Sequence, residues 1–170
     1  MPRVVRAQLR EMYFGRQFFK QESEFAKDDT YVDVVVHVRR GDIMGSGLED
    51  RVLPISYYRS IMESIRSVRP HSEFTILSEG RIDEFKDLQG SDVSFYLNQP
   101  TAKSYHKMVL ARVLVLSKSS FSYSAALLNT GCKIYRPFWH PVYSKELDWI
   151  TVTSTPMDNI QQLRRCLAFV

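Results

Sequence analysis

The hydrophobic positions of this chain fall into two kinds of segment: short apolar runs and longer stretches with helical spacing. The short runs are rich in β-branched and aromatic residues, which is typical of buried strands. They cover residues 31–38, 74–77, 93–97, 113–116 and 133–135, with a further strand near 149–153. Helical spacing predicts helices over 2–27, 54–68, 81–88, 101–112 and 120–130, and another from residue 156 or 157 onward. Strands and helices therefore alternate along most of the chain.

This alternation predicts an α/β fold, in which a parallel sheet carries helices on both faces through right-handed crossovers. The arrangement is Rossmann-like. We expect residues 1–30 to form an N-terminal helical extension and residues 31–170 to form a single Rossmann-like domain. The loop after the first strand lacks a Gly-x-Gly-x-x-Gly pattern, which argues against the usual dinucleotide cradle and against a methyltransferase.

Composition and charge exclude several classes of protein. The 170 residues are 44% hydrophobic and 25% charged, as in an ordinary globular domain, and no apolar run approaches the ~20 residues that span a bilayer. The N-terminus does not resemble a signal peptide, because Arg3, Arg6 and Arg10 interrupt it. The net charge of +4 suits an anionic ligand, but the basic residues are scattered, so we expect no nucleic acid partner.

The cysteines and histidines predict neither a disulfide framework nor a metal site. Cys132 and Cys166 each have apolar neighbours, so we expect reduced core residues of a reducing compartment, with a disulfide between them as the open alternative. The histidines are too dispersed for a recognisable metal motif: His37, His71, His106 and His140.

The most informative stretch is the end of the first strand, where a run of valines stops at Arg39, Arg40, Gly41 and Asp42. In an open α/β sheet, ligands bind beyond the carboxyl ends of the strands. Two guanidiniums at that edge could hold a diphosphate by paired charge-assisted hydrogen bonds. Gly41 would allow a sharp turn, and Asp42 would stay ionised and orient an arginine. The alternatives are a surface loop with clustered charges and a chance Arg-Gly-Asp adhesion tripeptide.

Polar residues also follow two later strands. Ser119, Ser120 and Ser122 open a helix after the fourth strand, where backbone N–H groups and Lys118 could bind a phosphate; an ordinary N-cap is the alternative. After the second strand come Ser78, Glu79 and Gly80. Glu79 could accept hydrogen bonds from a base or ribose, or it could be a solvated acid in the first turn of a helix.

The segment 135–141 is aromatic and proline-rich. Its rings could pack on a nucleotide base or face a sugar acceptor. The favoured interpretation is a hydrophobic cover over the edge of the sheet. Arg136 in this segment is a further candidate phosphate ligand. His106 is interpreted as a packed or surface residue.

Two of these motifs resemble a known family. Residues 37–42, His-Val-Arg-Arg-Gly-Asp, resemble the His-x-Arg-Arg-x-Asp motif of the α1,2-, α1,6- and protein-O-fucosyltransferase superfamily. Residues 119–126, Ser-Ser-Phe-Ser-Tyr-Ser-Ala-Ala, are similar to its Ser-Ser-Phe-Ser-Trp-Trp-Ala-Ala segment. The likeness covers about residues 31–140 and corresponds to the C-terminal nucleotide-binding domain, one half of a GT-B fold.

The resemblance implies that the chain binds GDP-fucose and transfers fucose to a glycan hydroxyl with inversion, using no metal or other cofactor. Arg39 would contact the diphosphate and stabilise the leaving GDP, and Asp42 would fix the arginine geometry. Counting five residues back from Pro54 gives Glu49 as the implied catalytic base, with Asp50 adjacent. The remaining positions would bind substrate or support the loop: His37, Arg40, Gly41, Ser78, Glu79, Ser119, Ser120 and Ser122.

The sequence departs from the family pattern in three ways. Ser78-Glu79-Gly80 stands where the family has acidic residues after the serine, and Tyr123-Ser124 replaces paired tryptophans. A GT-B enzyme also has two Rossmann domains, and 170 residues are too few for both. The alternatives are one domain of a longer, Golgi-type enzyme, a minimal cytoplasmic enzyme, or a non-catalytic nucleotide-sugar-binding module; a second GT-B domain or a homodimer could complete the site. The donor could also be GDP-rhamnose or a UDP-sugar.

Overall fold

A computed structural model of the chain describes residues 3–15, 32–140, 148–154 and 159–168. The strands are β1 (Val34–His37), β2 (Phe74–Ser78), β3 (Val93–Leu97), β4 (Val113–Val115), β5 (Cys132–Tyr135) and β6 (Trp149–Thr151). The helices are α1 (Arg3–Gly15), α2 (Ile55–Val68), α3 (Thr101–Leu110), α4 (Ser120–Leu128) and α5 (Ile160–Leu167). Short 3₁₀ helices cover Gly41–Ile43, Glu49–Arg51 and Ile82–Leu88.

The strands form a six-stranded parallel sheet in the order β3-β2-β1-β4-β5-β6. β1 lies at the centre, with Val34 opposite Phe74 of β2 on one side and Val113 of β4 on the other. Because successive strands are added first to one side of β1 and then to the other, the strand order reverses between β1 and β4. This confirms the α/β, Rossmann-like fold class.

Hydrophobic cores cover both faces of the sheet, as expected for a parallel sheet. Val34 and Val36 contribute to the core in which α2 and α5 pack, whereas Val35 belongs to the core formed with α3 and α4. Every residue of β1 is buried, which explains the unbroken run of β-branched residues in its sequence. The predicted apolar face of α2 is confirmed, since its members are all buried: Tyr57, Tyr58, Ile61, Met62 and Ile65.

Some predicted helix boundaries differ from the structure. The helix expected over 2–27 is described only as α1, because residues 16–31 lie outside the described part of the chain. In place of the helix expected over 81–88, Ile82–Leu88 forms a 3₁₀ helix with Arg81 as its N-cap, and its backbone is interrupted at Phe85, where φ is −117°. Pro54 is the N-cap of α2 and not its first residue. Residues 155–158 are not described, and α5 begins at Ile160.

The two cysteines form a disulfide, so the prediction that both are reduced was wrong. Cys132 begins β5 and Cys166 lies on α5, which packs on the same face of the sheet. Their Cα atoms are 6.0 Å apart although 34 positions separate them in sequence. The pairing arises from the packing of α5 against β5, and sequence spacing alone does not reveal it.

A buried asparagine joins the ends of α3 and α4. The side-chain amide of Asn129 donates to the carbonyl oxygens of Met108 at 2.9 Å and Ala111 at 2.7 Å. Its side-chain oxygen accepts from the N–H of Gly131 at 2.8 Å. Asn129 thereby satisfies backbone groups that the helix ends leave free. In the described residues, no helix has the length and apolar character needed to cross a bilayer.

Candidate functional site

The candidate site lies where the strand order reverses, at the carboxyl ends of β1 and β4. His37 ends β1, and Ser117 follows β4; both are buried, and Ser117 Oγ lies 2.8 Å from His37 Nδ1. Burial, assisted by the nearby charge of Arg39, lowers the pKa of His37 from 6.5 to about 3. The imidazole is therefore neutral near pH 7 and links the two central strands at the point where α/β sheets bind ligands.

Arg39 and Asp42 form an ion pair on the loop that leaves β1. The Nη2 atom of Arg39 lies 2.6 Å from the Oδ1 atom of Asp42. The loop turns at Gly41, whose φ is +66°, and a Cβ there would lie 1.4 Å from Oε2 of Glu79. The positive φ favours glycine, whereas the close approach involves the flexible end of the exposed Glu79 side chain. The loop therefore turns at Gly41 and pairs Asp42 with an arginine, while the parts of both residues in binding and catalysis stay predictions.

The neighbouring Arg40 has different partners. Its Nη2 atom lies 2.5 Å from Oε1 of Glu84, and its guanidinium lies 5.6 Å from the centre of the Phe85 ring. The pKa of Glu84 is lowered, first by the hydrogen bond from the N–H of Arg81 and then by the charge of Arg40. Arg40 thus attaches the β1 loop to the 3₁₀ helix Ile82–Leu88. Its contacts suit the supporting role that the resemblance implies.

The loop after β2 lies beside the β1 loop. Ser78 donates its hydroxyl hydrogen to the carbonyl oxygen of Val38 at 2.8 Å. Asn98 follows β3 and pairs with Gly80: the N–H of Gly80 donates to the side-chain oxygen of Asn98, and the side-chain amide of Asn98 donates to the carbonyl oxygen of Gly80, both at 2.9 Å. These bonds hold the β2 loop in place, and the exposed Glu79 projects into a cavity between the loops.

That first cavity has a volume of about 180 Å³. The polar residues predicted from sequence that line it are His37, Arg39, Arg40, Ser78 and Glu79. Sequence reasoning missed three further polar lining residues, which follow β3: Gln99, Thr101 and Ser104. The same rule, that polar residues after a parallel strand reach the ligand edge, would have found them if it had been applied to the third strand.

The serines at the start of α4 separate into two environments. Ser119 is the N-cap, and its Oγ accepts from the N–H of Phe121 at 3.2 Å. Ser120 is exposed, with Oγ 2.8 Å from Nε2 of His140. Ser122 is fully buried, and its hydroxyl donates to the carbonyl oxygen of Ser119 at 3.3 Å. Ser119 and Ser120 line a second cavity, whereas Ser122 supports the turn from within.

This second cavity lies between the β1 loop and α4 and has a volume of about 320 Å³. Arg39 and Phe121 line both cavities, so the two spaces meet at these side chains. Among the residues that the structure describes, the charged ones lining the second cavity are Arg39, Asp42, Arg51 and Lys118. Cations therefore outnumber anions here, beside the N-terminus of α4, and both features favour an anionic group.

The predicted base Glu49 lies outside both cavities. Its Oε1 atom accepts from the N–H groups of Gly45 at 2.7 Å and Gly47 at 3.4 Å, within its own loop. Backbone N–H groups, first that of Glu49 itself and then that of Gly47, lower its pKa. A carboxylate held in this way is a weaker proton acceptor than a free one.

The aromatic segment after β5 mainly covers hydrophobic side chains. Tyr135 packs against Trp149 with ring centres 5.7 Å apart, and His140 stacks on Tyr123 at 4.9 Å. Trp139 is the exception, since half of its surface is exposed. Arg136 lines neither cavity. His106 is buried, with Nδ1 3.1 Å from the hydroxyl of Tyr13, in agreement with its interpretation as a packed residue.

Within the described ranges, no group of three or more His, Cys, Asp and Glu side chains is arranged to hold a metal ion.

Comparison with known proteins identifies the family. The model of glycosyl transferase family 11 matches residues 7–138, which include the β1 loop and the start of α4. Comparisons with curated proteins and with solved structures gave no match. The family match covers well over half of the chain and confirms the resemblance to the fucosyltransferase superfamily. The chain belongs to glycosyl transferase family 11, a family of fucosyltransferase-like glycosyltransferases.

Proposed function

We propose that this chain binds GDP-fucose and transfers its fucose to a glycan hydroxyl, with inversion and without a metal. Family membership supports a nucleotide-sugar donor and a glycan acceptor. The observation that carries the proposal is the position of Arg39. Its guanidinium lies at the reversal of strand order, lines both cavities and faces the same cavity as the start of α4.

In this proposal the nucleoside occupies the first cavity and the diphosphate lies at Arg39. The first cavity offers hydrogen-bonding groups that suit a ribose and a base, including the carboxylate of Glu79 and the side chains of Gln99 and Thr101. The diphosphate would receive charge-assisted hydrogen bonds from Arg39 and the charge of Lys118. Ser119 and Ser120 would add their hydroxyls and the N–H groups of the first turn of α4.

The transfer step follows from this placement. The oxygen of the acceptor hydroxyl forms a bond to C1 of fucose as the bond from C1 to the β-phosphate oxygen breaks, and the electron pair leaves with GDP. The acceptor proton passes to a base. Negative charge grows on the departing diphosphate, so a guanidinium held at that position stabilises the transition state more than the bound donor. The cationic side chains would supply the charge neutralisation that a metal supplies elsewhere.

Glu49 is retained as the proposed base, as the resemblance implies. The N–H groups of Gly45 and Gly47 donate to its Oε1 atom in the structure, so the carboxylate would become a stronger proton acceptor once they release it. All of these residues lie in the loop between β1 and α2. Arrival of the acceptor beside this loop is the proposed trigger for that release.

Turnover tests the proposal. GDP release from GDP-fucose is measured with the protein and a panel of soluble glycans, and we expect the Arg39→Ala variant to lose turnover while it keeps the far-UV circular dichroism spectrum of the wild type. Retained transfer by that variant would remove Arg39 from the mechanism. Binding of GDP without any consumption of GDP-fucose would identify a non-catalytic nucleotide-sugar-binding module instead.

A further inference from the structure

The wall of the second cavity contains an aromatic residue and an arginine in contact. The guanidinium of Arg51 lies 5.0 Å from the centre of the Trp139 ring, within the range of a cation–π interaction. Both side chains line the cavity. Trp139 is 50% exposed, although its ring packs edge-to-face against that of Phe138 with ring centres 5.0 Å apart.

An exposed indole in a cavity wall offers a flat apolar surface. The C–H face of a pyranose ring can pack on such a surface, while its hydroxyl groups need donors and acceptors at the edge. The same wall provides them, since Arg51 donates and the carboxylate of Asp42 accepts; the Asp42 side chain is 74% exposed. An aromatic face bordered by charged and hydroxyl groups suits a sugar better than a purely apolar ligand.

The position of this wall relative to Arg39 indicates whether it contacts the sugar of the donor or that of the acceptor. A nucleotide-sugar donor is one continuous molecule of nucleoside, diphosphate and sugar. If the nucleoside occupies the first cavity and the diphosphate lies at Arg39, the sugar continues into the second cavity, which has about 320 Å³ against about 180 Å³ in the first. We propose that Arg51 and Trp139 form the subsite for the sugar ring of the donor. This inference rests on the proposed function and adds the residues that contact the sugar ring.

The test compares two ligands that differ only by the sugar. The dissociation constants of GDP and GDP-fucose are measured by calorimetry for the wild type, Trp139→Ala, Trp139→Phe and Arg51→Ala. The control is Arg59→Ala, because Arg59 is an exposed arginine of α2 that is 51% exposed and pairs with Glu63 outside both cavities. We expect Trp139→Ala and Arg51→Ala to raise the dissociation constant of GDP-fucose about three- to tenfold. The dissociation constant of GDP should stay within about twofold of the wild-type value. Trp139→Phe should recover part of the loss, and Arg59→Ala should bind both ligands as the wild type does.

Four results would overturn the inference, and they differ in what they imply. Unchanged affinity of Trp139→Ala for both ligands would show that the indole does not contact the donor. If that variant instead raised only the KM of the glycan acceptor, the ring would belong to the acceptor subsite. An equal loss for GDP and GDP-fucose would mean that Trp139 supports the diphosphate or the fold. Binding of neither ligand by the wild type would refute the proposed function itself.

Discussion

At the scale of single residues, the adjacent arginines of the β1 loop differ because their partners differ. Arg40 lies against Phe85 and pairs with Glu84, so its charge is largely neutralised by the protein. Arg39 pairs with Asp42, whose side chain is 74% exposed, and it lines both cavities. A diphosphate bound at Arg39, as proposed, would compete with the exposed carboxylate of Asp42.

The base assignment yields a prediction for Glu49. Replacing it with glutamine removes the proposed proton acceptor but keeps a carbonyl oxygen that Gly45 and Gly47 can still donate to. We expect kcat to fall about 100-fold or more in Glu49→Gln, the usual contribution of a general base, with little change in the dissociation constant of GDP. Steady-state kinetics with GDP-fucose measures this. Asp50→Asn is the matched control, since Asp50 is an exposed carboxylate of the same turn.

Undiminished kcat in Glu49→Gln would place the base elsewhere. Asp42 would then be the next carboxylate to replace, because it lines the second cavity.

The protonation state of His37 predicts a pH dependence of stability. Burial lowers its pKa to about 3 in the folded protein, against about 6.5 in an unfolded chain. As pH falls below about 6.5 the unfolded chain takes up a proton that the folded protein does not, so the free energy of unfolding decreases, by up to about 1.4 kcal/mol per pH unit. Urea unfolding between about pH 7 and pH 4 should show this decrease in the wild type and a shallower one in His37→Gln. Equal slopes in both proteins would contradict the assignment, as would an imidazole that titrates near its ordinary pKa by NMR.

At the scale of elements, the hydrophobic pattern of the sequence predicted the positions of the strands well. The bounds of β1 and β4 lie within the predicted ones, because a strand covered on both faces needs apolar side chains at every position. The bounds of β3, a partly exposed edge strand, also agree with the prediction. Prediction was weaker at helix ends. In the 81–88 segment the backbone of Phe85 departs from helical geometry, and its buried ring lies beside Arg40 of the β1 loop, a tertiary contact that local spacing does not contain.

Asn129 gives the clearest prediction at the level of elements. Its side chain bonds four backbone groups at the α3–β4 and α4–β5 connections, and the residue is fully buried. Asn129→Leu would leave these groups without partners, so we expect a loss of about 3 kcal/mol or more in the free energy of unfolding. Chemical denaturation measures the loss. Gln89→Leu, at an exposed position, should change stability by less than about 0.5 kcal/mol. A similarly small effect in Asn129→Leu would show that these hydrogen bonds are not needed.

At the scale of the whole molecule, the parallel sheet determines which distant residues meet. Arg39, Glu79 and Ser119 lie at one edge of the sheet, as the sequence analysis expected from the rule that ligands bind at the carboxyl ends of parallel strands. The sequence analysis singled out the aromatic segment 135–141 but not Arg51, because the contact of Arg51 with Trp139 depends on the path of two loops. Likewise, Glu49 was predicted to be the base from its spacing to a proline. The hydrogen bond from the N–H of Gly45 to its carboxylate depends on the folded loop, so the sequence could not reveal it.

The disulfide predicts behaviour of the molecule as a whole. It links β5 to α5 across 34 positions, so it restricts the unfolded chain and should stabilise the protein by about 3 kcal/mol. Alkylation of the unfolded, unreduced protein followed by mass spectrometry should find Cys132 and Cys166 unmodified, and a reductant should lower the melting temperature. In a Cys132→Ala/Cys166→Ala double variant, the same reductant should have no effect. Alkylation of both cysteines without reductant would show that they are free thiols.

Calorimetric titration with GDP, GDP-fucose and UDP, repeated on Arg39→Ala, most directly tests whether Arg39 holds the diphosphate of the donor. We predict that the wild type binds the guanosine nucleotides in preference to UDP. Arg39→Ala should bind GDP about 10- to 100-fold more weakly, the loss expected when a charge-assisted hydrogen bond to phosphate is removed. Undiminished GDP binding by a folded Arg39→Ala protein, or no nucleotide binding by the wild type, would contradict the assignment of this edge of the sheet as the donor site.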